Sequence, residues 1–223
     1  MAQLPLDLGH RAALGRADFL VAPCNAEAIA WLDRWPDWPA PALALYGPPA
    51  SGKTHLAQVW QARTGARAIA VAELHTADVP RLLGGANAAV VDDADRAAAE
   101  PLLHLYNVIA ERRGHLLVIA REPPARWRLA LADLRSRLAA APAVAVAAPD
   151  DALMGALLIK LFADRQLVVG EDVVAYLVLR LERSFAAASA AVAALDAAAL
   201  AAHRRVTVPL ARQVLEASAA PEP

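Results

Sequence analysis

The sequence predicts an α/β fold in which a parallel sheet is followed by a small all-helical segment, and three observations carry that reading. Apolar runs of strand length recur at Ala42 to Tyr46, Ala66 to Ala72, Ala88 to Val91, Leu116 to Ala120 and Ala143 to Ala147. Helix-like segments alternate with them, the pattern of a parallel sheet covered on both faces. After Pro149-Asp150-Asp151 the strand pattern stops, and the chain reads as helices only, to about Ser218.

Taken in order, Ala26 to Trp35 has the periodicity of an amphipathic helix preceding the first strand, and Pro36 to Pro41 forms a turn. His55 to Ala62 contains no helix breaker, so a helix is expected to start near Ser51 and run through it. Gly84-Gly85 marks the turn before the third strand. Ala97 to Arg113 carries Leu102, Leu103, Leu105, Tyr106 and Ile109 at helical spacing, and Glu122-Pro123-Pro124 is a further turn. In the second part the expected helices are Asp151 to Arg165, Gly170 to Leu181, Ser184 to Ala202 and Pro209 to Ala217, with an aspartate N-cap at the start of the first. Alanine favours helix, so the stretch Ala186 to Ala202 is read as a packed helix, with Val192, Leu195 and Leu200 as packing residues.

Bulk composition narrows the class. The chain has 223 residues, a net charge of −1 and 58% apolar residues, many of them alanine. That length buries a substantial core. There is no uninterrupted apolar run of about eighteen residues and no basic-then-apolar N-terminus, so neither a membrane span nor a secretory signal is expected. Cys24 is the single cysteine, which leaves no internal disulfide and suggests a reducing, cytoplasmic setting. The balanced charge argues against a dedicated non-specific nucleic-acid-binding domain. The histidines lack metal-ligand spacing, and Trp31, Trp35 and Trp38 are read as a packing patch.

The octapeptide Gly47-Pro48-Pro49-Ala50-Ser51-Gly52-Lys53-Thr54 fits the GxxxxGKT pattern and lies between a strand and a helix. Such a loop converges backbone N–H groups on phosphate oxygens, and the helix beginning there adds its positive dipole end. Lys53 would neutralise the β and γ phosphates, the Thr54 hydroxyl would coordinate Mg²⁺, and His55 follows at the same helix start. About forty residues later, Val90-Val91-Asp92-Asp93-Ala94-Asp95 is an apolar strand ending in acids, a Walker B candidate. Asp92 is assigned to the metal and Asp93 to activation of the attacking water; Asp95 is expected at the surface or as a helix cap. Leu134-Arg135-Ser136-Arg137-Leu138 precedes the last strand, where an arginine either is a solvated surface charge or reaches a nucleotide held by a neighbouring subunit.

With these three segments in this order, the chain resembles an AAA+ ATPase of the DnaA type over nearly its whole length. The resemblance implies an AAA+ P-loop core with a parallel sheet over residues 11–148, a helical lid over 149–218 and a short tail at 219–223. It implies that Phe19 to Ala26 passes over the adenine, with Val21, Pro23 and Asn25 on the base side, and that Arg137 holds the arginine-finger position. DnaA itself continues into a helix-turn-helix domain for which residues 219–223 leave no room, so the chain looks like the truncated regulatory relatives, the Hda family (HdaA in some bacteria). Residues 1–10 fit that family too. Gln3-Leu4-Pro5-Leu6-Asp7-Leu8 resembles its sliding-clamp-binding peptide, with Gln3, Leu4, Leu6 and Leu8 as contacts.

The implied partners are the β sliding clamp of DNA polymerase III and DnaA, with DNA met only through the clamp and self-association left open. The implied activity is inactivation of DnaA, in which Arg137 promotes hydrolysis of ATP held by DnaA. ADP or ATP with Mg²⁺ in this chain's own pocket would serve as a conformational ligand. Two departures point to weak or absent intrinsic hydrolysis: Ala186 stands at the usual sensor 2 arginine, with Arg183 a nearby substitute, and Arg121 stands in the sensor 1 region where a small polar or acidic residue is usual. A DnaC-like helicase loader and a freestanding P-loop ATPase or kinase are the alternatives.

Overall fold

In the computed structural model, which describes residues 20–74 and 79–219, the five apolar runs supply the strands of one parallel sheet. These are β1 (Ala42–Tyr46), β2 (Arg67–Ile69), β3 (Ala88–Val91), β4 (His115–Ala120) and β5 (Ala143–Ala145), in the spatial order β2-β3-β4-β1-β5. β1 and β4 pair with Ala42 opposite Leu116 and Tyr46 opposite Ala120, while β3 sets Val91 opposite Val118. Being covered on both faces, the central strands have no need of polar alternation, which is why they read as unbroken apolar runs.

Alternate side chains point to opposite faces. Leu43, Leu45, Leu117 and Ile119 pack with α1 (Ala26–Asp33) and α2 (Lys53–Thr64), whereas Ala42, Ala44, Leu116 and Val118 pack with α4 (Ala99–Glu111) and α5 (Ala132–Ala140). The tryptophans join the first of these layers. Trp38 stacks on Trp60 of α2 at 5.4 Å between ring centroids, Trp35 meets Trp60 edge-on, and the Trp38 indole N–H donates to the Trp31 carbonyl at 2.8 Å. They form a packing patch, as expected.

One expectation for the core is corrected, and one element is added. The run Ala66 to Ala72 forms a strand only over Arg67–Ile69, because β2 is an edge strand paired on one side, and the chain turns into a 3₁₀ segment at Val71–Glu73. A short helix, α3 (Val79–Leu83), is held by burial of Val79 and Leu83; five residues are too few to show helical periodicity in the sequence.

The helical segment comprises α6 (Asp151–Asp164), α7 (Glu171–Val178), α8 (Phe185–Ala202) and α9 (Val208–Ala219) around its own core of Met154, Leu158, Phe162, Leu177, Val192 and Leu195. Side-chain caps fix two starts: Asp150 accepts the Leu153 N–H at 2.8 Å and Ser184 accepts the Ala187 N–H at 3.0 Å. With 18 residues and a mean hydropathy of 1.8, α8 is long and apolar enough to cross a membrane by length and composition alone. Here it packs on α6 and α9, and its Asp196 pairs with Arg165 at 3.7 Å. Val192 and Leu195 are buried, but Leu200 is 62% exposed, correcting its reading as a packing residue. Five residues beyond Leu195, it is rotated to the other side of the helix.

This difference sets an expectation for unfolding. Leu117→Ala, in the middle of the fully covered sheet, should lower stability by about 2–5 kcal/mol, and Leu200→Ala by no more than about 0.5 kcal/mol. Urea denaturation of the two variants beside the wild type measures both; similar losses would contradict the packing described.

Candidate nucleotide-binding site

The sheet's C-terminal edge builds the loop between β1 and α2. The Gly47 N–H donates to the Ala120 carbonyl at 3.3 Å, and the Val146 N–H donates to the Tyr46 carbonyl at 2.7 Å. Gly47 is squeezed between them: a Cβ there would lie 2.1 Å from the Val146 carbonyl oxygen, so only glycine fits. Pro48, Pro49 and Ala50 form the exposed crest, with Ala50 in the left-handed region at φ 60°. Ser51 is buried, and Gly52 at φ 95° turns the backbone into α2.

Lys53 opens that helix and is only 8% exposed. Its ammonium donates back to the loop carbonyls of Gly47 at 2.9 Å and Pro48 at 2.6 Å, and to the Ser51 hydroxyl at 3.3 Å. Burial pulls its pKa down, while the carboxylates of Asp92, Asp93 and Asp95 act to hold the proton. The cation therefore sits inside the loop's concavity, in direct contact with no carboxylate among the described residues, ready to exchange weak carbonyl partners for an anion.

The acidic corner lies alongside. The Thr54 hydroxyl donates to Asp92 Oδ2 at 2.7 Å across 38 residues of chain, and Asp92 Oδ1 accepts the Asp93 N–H at 2.8 Å. The pair expected to hold Mg²⁺ is thus brought together. A hydroxyl and a carboxylate are hard oxygen donors suited to that ion. Among the described residues no group of three or more His, Cys, Asp or Glu could hold a metal by itself, so Mg²⁺ here would depend on phosphate oxygens as well. Asp93 has φ 50° and is exposed, 3.8 Å from Arg96. Asp95 differs from its expected surface or cap position: one carboxylate oxygen is buried without a hydrogen-bond donor among the described residues. Nothing in the sequence distinguished it from its neighbours.

On the base side, residues 20–25 bridge the core and the helical segment, with Leu20 packed against the latter and the Cys24 carbonyl accepting the Ala147 N–H at 3.0 Å. Val21 and Pro23 are exposed. Asn25 is 2% exposed and its amide is turned back on its own segment: Oδ1 accepts the Ala22 N–H at 2.9 Å and Nδ2 donates to the Leu20 carbonyl at 3.0 Å. It shapes the segment that presents Val21 and Pro23. From the helical side, Phe185 at the first turn of α8 reaches the loop itself. A Cβ on Gly52 would meet its ring at 2.9 Å, and the half-buried His55 ring lies 6.3 Å from it. Sequence reasoning passed over Phe185, whose only signal was its place after the Ser184 cap. Ala186 is exposed, and Arg183 pairs with Asp151 of α6 at 2.9 Å.

Arg137 lies on α5, where its Nε donates to Asp133 at 2.9 Å and its guanidinium sits 5.5 Å from the centre of the Tyr106 ring. Gln3, Leu4, Leu6 and Leu8 lie outside the described residues.

Comparison with known proteins matches the helical segment, residues 151–215, to the family described as Hda, lid domain. Among solved structures, domain III of the replication initiation protein DnaA from Thermotoga maritima superposes with a TM-score of 0.76 at 15% identity, covering 95% of this chain and 99% of that one. The chain has the AAA+ fold of DnaA domain III, and its helical segment matches the Hda lid family. DnaA from Aquifex aeolicus bound to AMPPCP superposes with a TM-score of 0.63 at 16% identity, over 78% of this chain and 62% of that longer one. A RuvB variant from Thermotoga maritima gives 0.70 at 15% identity, over 87% of this chain and 68% of that one. No curated protein sequence matches. At these identities the structural likenesses show the AAA+ fold, and the lid match supplies the link to Hda.

The lid contact has a pH signature. Burial pushes the pKa of His55 down, and that of His115 likewise, against a hydrogen bond with the Pro36 carbonyl that raises it. The unfolded chain then binds these protons more readily than the folded one, so stability is whole above about pH 6.5 and falls as the pH drops below it. His55→Gln should flatten this fall between about pH 7 and pH 5.5 in urea titrations. An unchanged slope would remove His55 as a contributor.

Proposed function

We propose that this protein regulates DnaA: it binds an adenine nucleotide in its own loop, is recruited by the sliding clamp, and promotes hydrolysis of ATP held by DnaA. The single observation that carries the reading is the Hda-type lid joined to a DnaA-like AAA+ core. Relatives of that core include a replication initiator DnaA described as bound to AMPPCP and single-stranded DNA, which supports adenine nucleotide as the ligand here.

In the pocket, the loop N–H groups and the N-terminus of α2 receive phosphate oxygens, and Lys53 turns from the Gly47 and Pro48 carbonyls toward them. Thr54 and Asp92 would hold Mg²⁺, which would supply charge neutralisation at the phosphates. Val21 and Pro23 line the base side. Because residues 20–25 and Phe185 connect this pocket to the lid, nucleotide that favours one lid arrangement shifts the protein toward it. Arg137 acts outward. Its tie to Asp133 is a solvent-exposed pair between residues one helical turn apart, the kind that holds weakly and that a phosphate on a docked partner displaces. At the ATP of DnaA it would stabilise charge developing on the transferring phosphoryl group. Gln3, Leu4, Leu6 and Leu8 would seat in the clamp as an extended peptide.

The test combines DnaA-ATP, clamp loaded on DNA and nucleotide with full-length protein. Arg137→Ala should lose at least about a hundredfold of the stimulated hydrolysis, while keeping clamp binding. Equal stimulation by wild type and variant would discard the trans arginine. Gln3→Ala with Leu6→Ala should remove clamp binding in a direct binding assay, and unaltered binding would discard recruitment through this peptide.

A further inference from the structure

The far end of the helical segment holds a cavity that the nucleotide site does not use. α8 starts with Phe185 at the phosphate loop and runs 18 residues, so its last turn lies roughly 25 Å from that contact. There the ends of α6 and α8 come together around a cavity of about 590 Å³. Its floor is apolar, since Leu167, Ala199 and Val206 belong to the core of the helical segment. The rim is apolar too and open to solvent, with Val168 91% exposed and Leu200 62% exposed.

Both helices end in the same way. The Leu167 N–H donates to the Phe162 carbonyl at 2.9 Å, and the Arg204 N–H to the Ala199 carbonyl at 3.0 Å. The residues inside these closing turns, Gln166 at φ 59° and His203 at φ 50°, occupy positions where glycine is usual. Both keep a side chain, and both line the cavity.

The charges at its mouth do not balance. Asp196 is the one carboxylate among the lining residues, and it already pairs with Arg165 at 3.7 Å. Arg204 and Arg205 are exposed, line the cavity, and form no ion pair among the described residues. The C-terminal ends of α6 and α8 together offset about one unit of positive charge, against two arginines. A net positive mouth over an apolar floor calls for carboxylates flanking apolar groups. Single-stranded nucleic acid is met instead by basic grooves with aromatic platforms, and no phenylalanine, tyrosine or tryptophan lines this cavity.

We propose that the cavity between the ends of α6 and α8 is a docking site for an acidic peptide segment of a partner protein. Apolar side chains of that segment fill the cavity over Leu167, Ala199 and Val206, in contact with Val168 and Leu200. Its carboxylates pair with Arg204 and Arg205, whose planar guanidinium groups match them. The site lies outside the nucleotide pocket and needs no nucleotide.

The probe is a short fluorescent peptide of glutamates interrupted by two leucines, titrated with full-length protein and followed by anisotropy. Wild type is expected to bind it with a Kd of about 100 μM or tighter. Arg204→Ala with Arg205→Ala should weaken binding about tenfold or more, Arg204→Lys with Arg205→Lys should restore part of it, and Val168→Ser should weaken it about threefold. Replacing the leucines of the probe by alanine should also cost about tenfold. Lys53→Ala should leave the affinity unchanged. No saturable binding by wild type, equal binding after loss of both arginines, or equal binding of a probe with lysine in place of glutamate would overturn the proposal. So would loss of binding in Lys53→Ala, which would put the peptide at the phosphate loop. Arginine-dependent binding of a thymidine oligonucleotide in place of the peptide would overturn it in favour of a nucleic-acid contact.

Discussion

The close approach of three strand ends at Gly47 governs the rest of the molecule. The carbonyl of Ala120 ends β4 on one side of it, and that of Val146 follows β5 on the other, leaving no room for a Cβ. This clamp fixes where the loop leaves the sheet, hence where α2 begins and where Lys53 and Thr54 emerge. Asp92 then reaches Thr54 from the next strand but one in the sheet, so the two halves of the site are held by the register of β1, β4 and β3. Parallel strands make this possible because all of them end at the same edge, and ligands of open α/β sheets bind outside that edge.

Electrostatically the edge is a mosaic in which most charges already have partners. Thr54 with Asp92, Arg96 with Asp93 and Arg126 with Glu122 are local pairs, and the Lys53 ammonium is surrounded mainly by carbonyls. The lid adds an aromatic ring in place of a charge. Phe185 against Gly52 couples the first turn of α8 to the first turn of α2 by contact, and His55 beside it makes the junction sensitive to protonation. Contact between the loop and the lid thus runs through packing, and the Lys53 cation at the loop belongs to the core.

Much of this was legible in the sequence. The central strands declared themselves as apolar runs since both faces are covered, and GxxxxGKT between a strand and a helix located the loop because its glycines answer a steric demand. Asp150 was readable as a cap for the same local reason. What escaped reading depended on tertiary surroundings. The edge strand β2 is cut short by having one neighbour, α3 is too short to show a period, and Leu200 points away from the face that Val192 and Leu195 share. Asn25 turned out to spend its amide on its own turn, and the orphaned oxygen of Asp95 is a property of burial that no motif encodes. Phe185 matters through a contact with a residue more than a hundred positions away, the kind of relation that a single sequence hides.

The tryptophan patch gives α2 an optical property. Lys53 starts that helix and Trp60 lies seven residues on, about 10 Å along a rigid rod. Trp60 is wholly enclosed, stacked on Trp38 and edge-on to Trp35. Indole emission depends on the polarity and geometry of its surroundings, so a displacement of α2 at its phosphate end becomes a change of light at the other. The protein thus carries a buried indole on the helix that starts at its own loop, packed against two others whose geometry a shift of that helix would change.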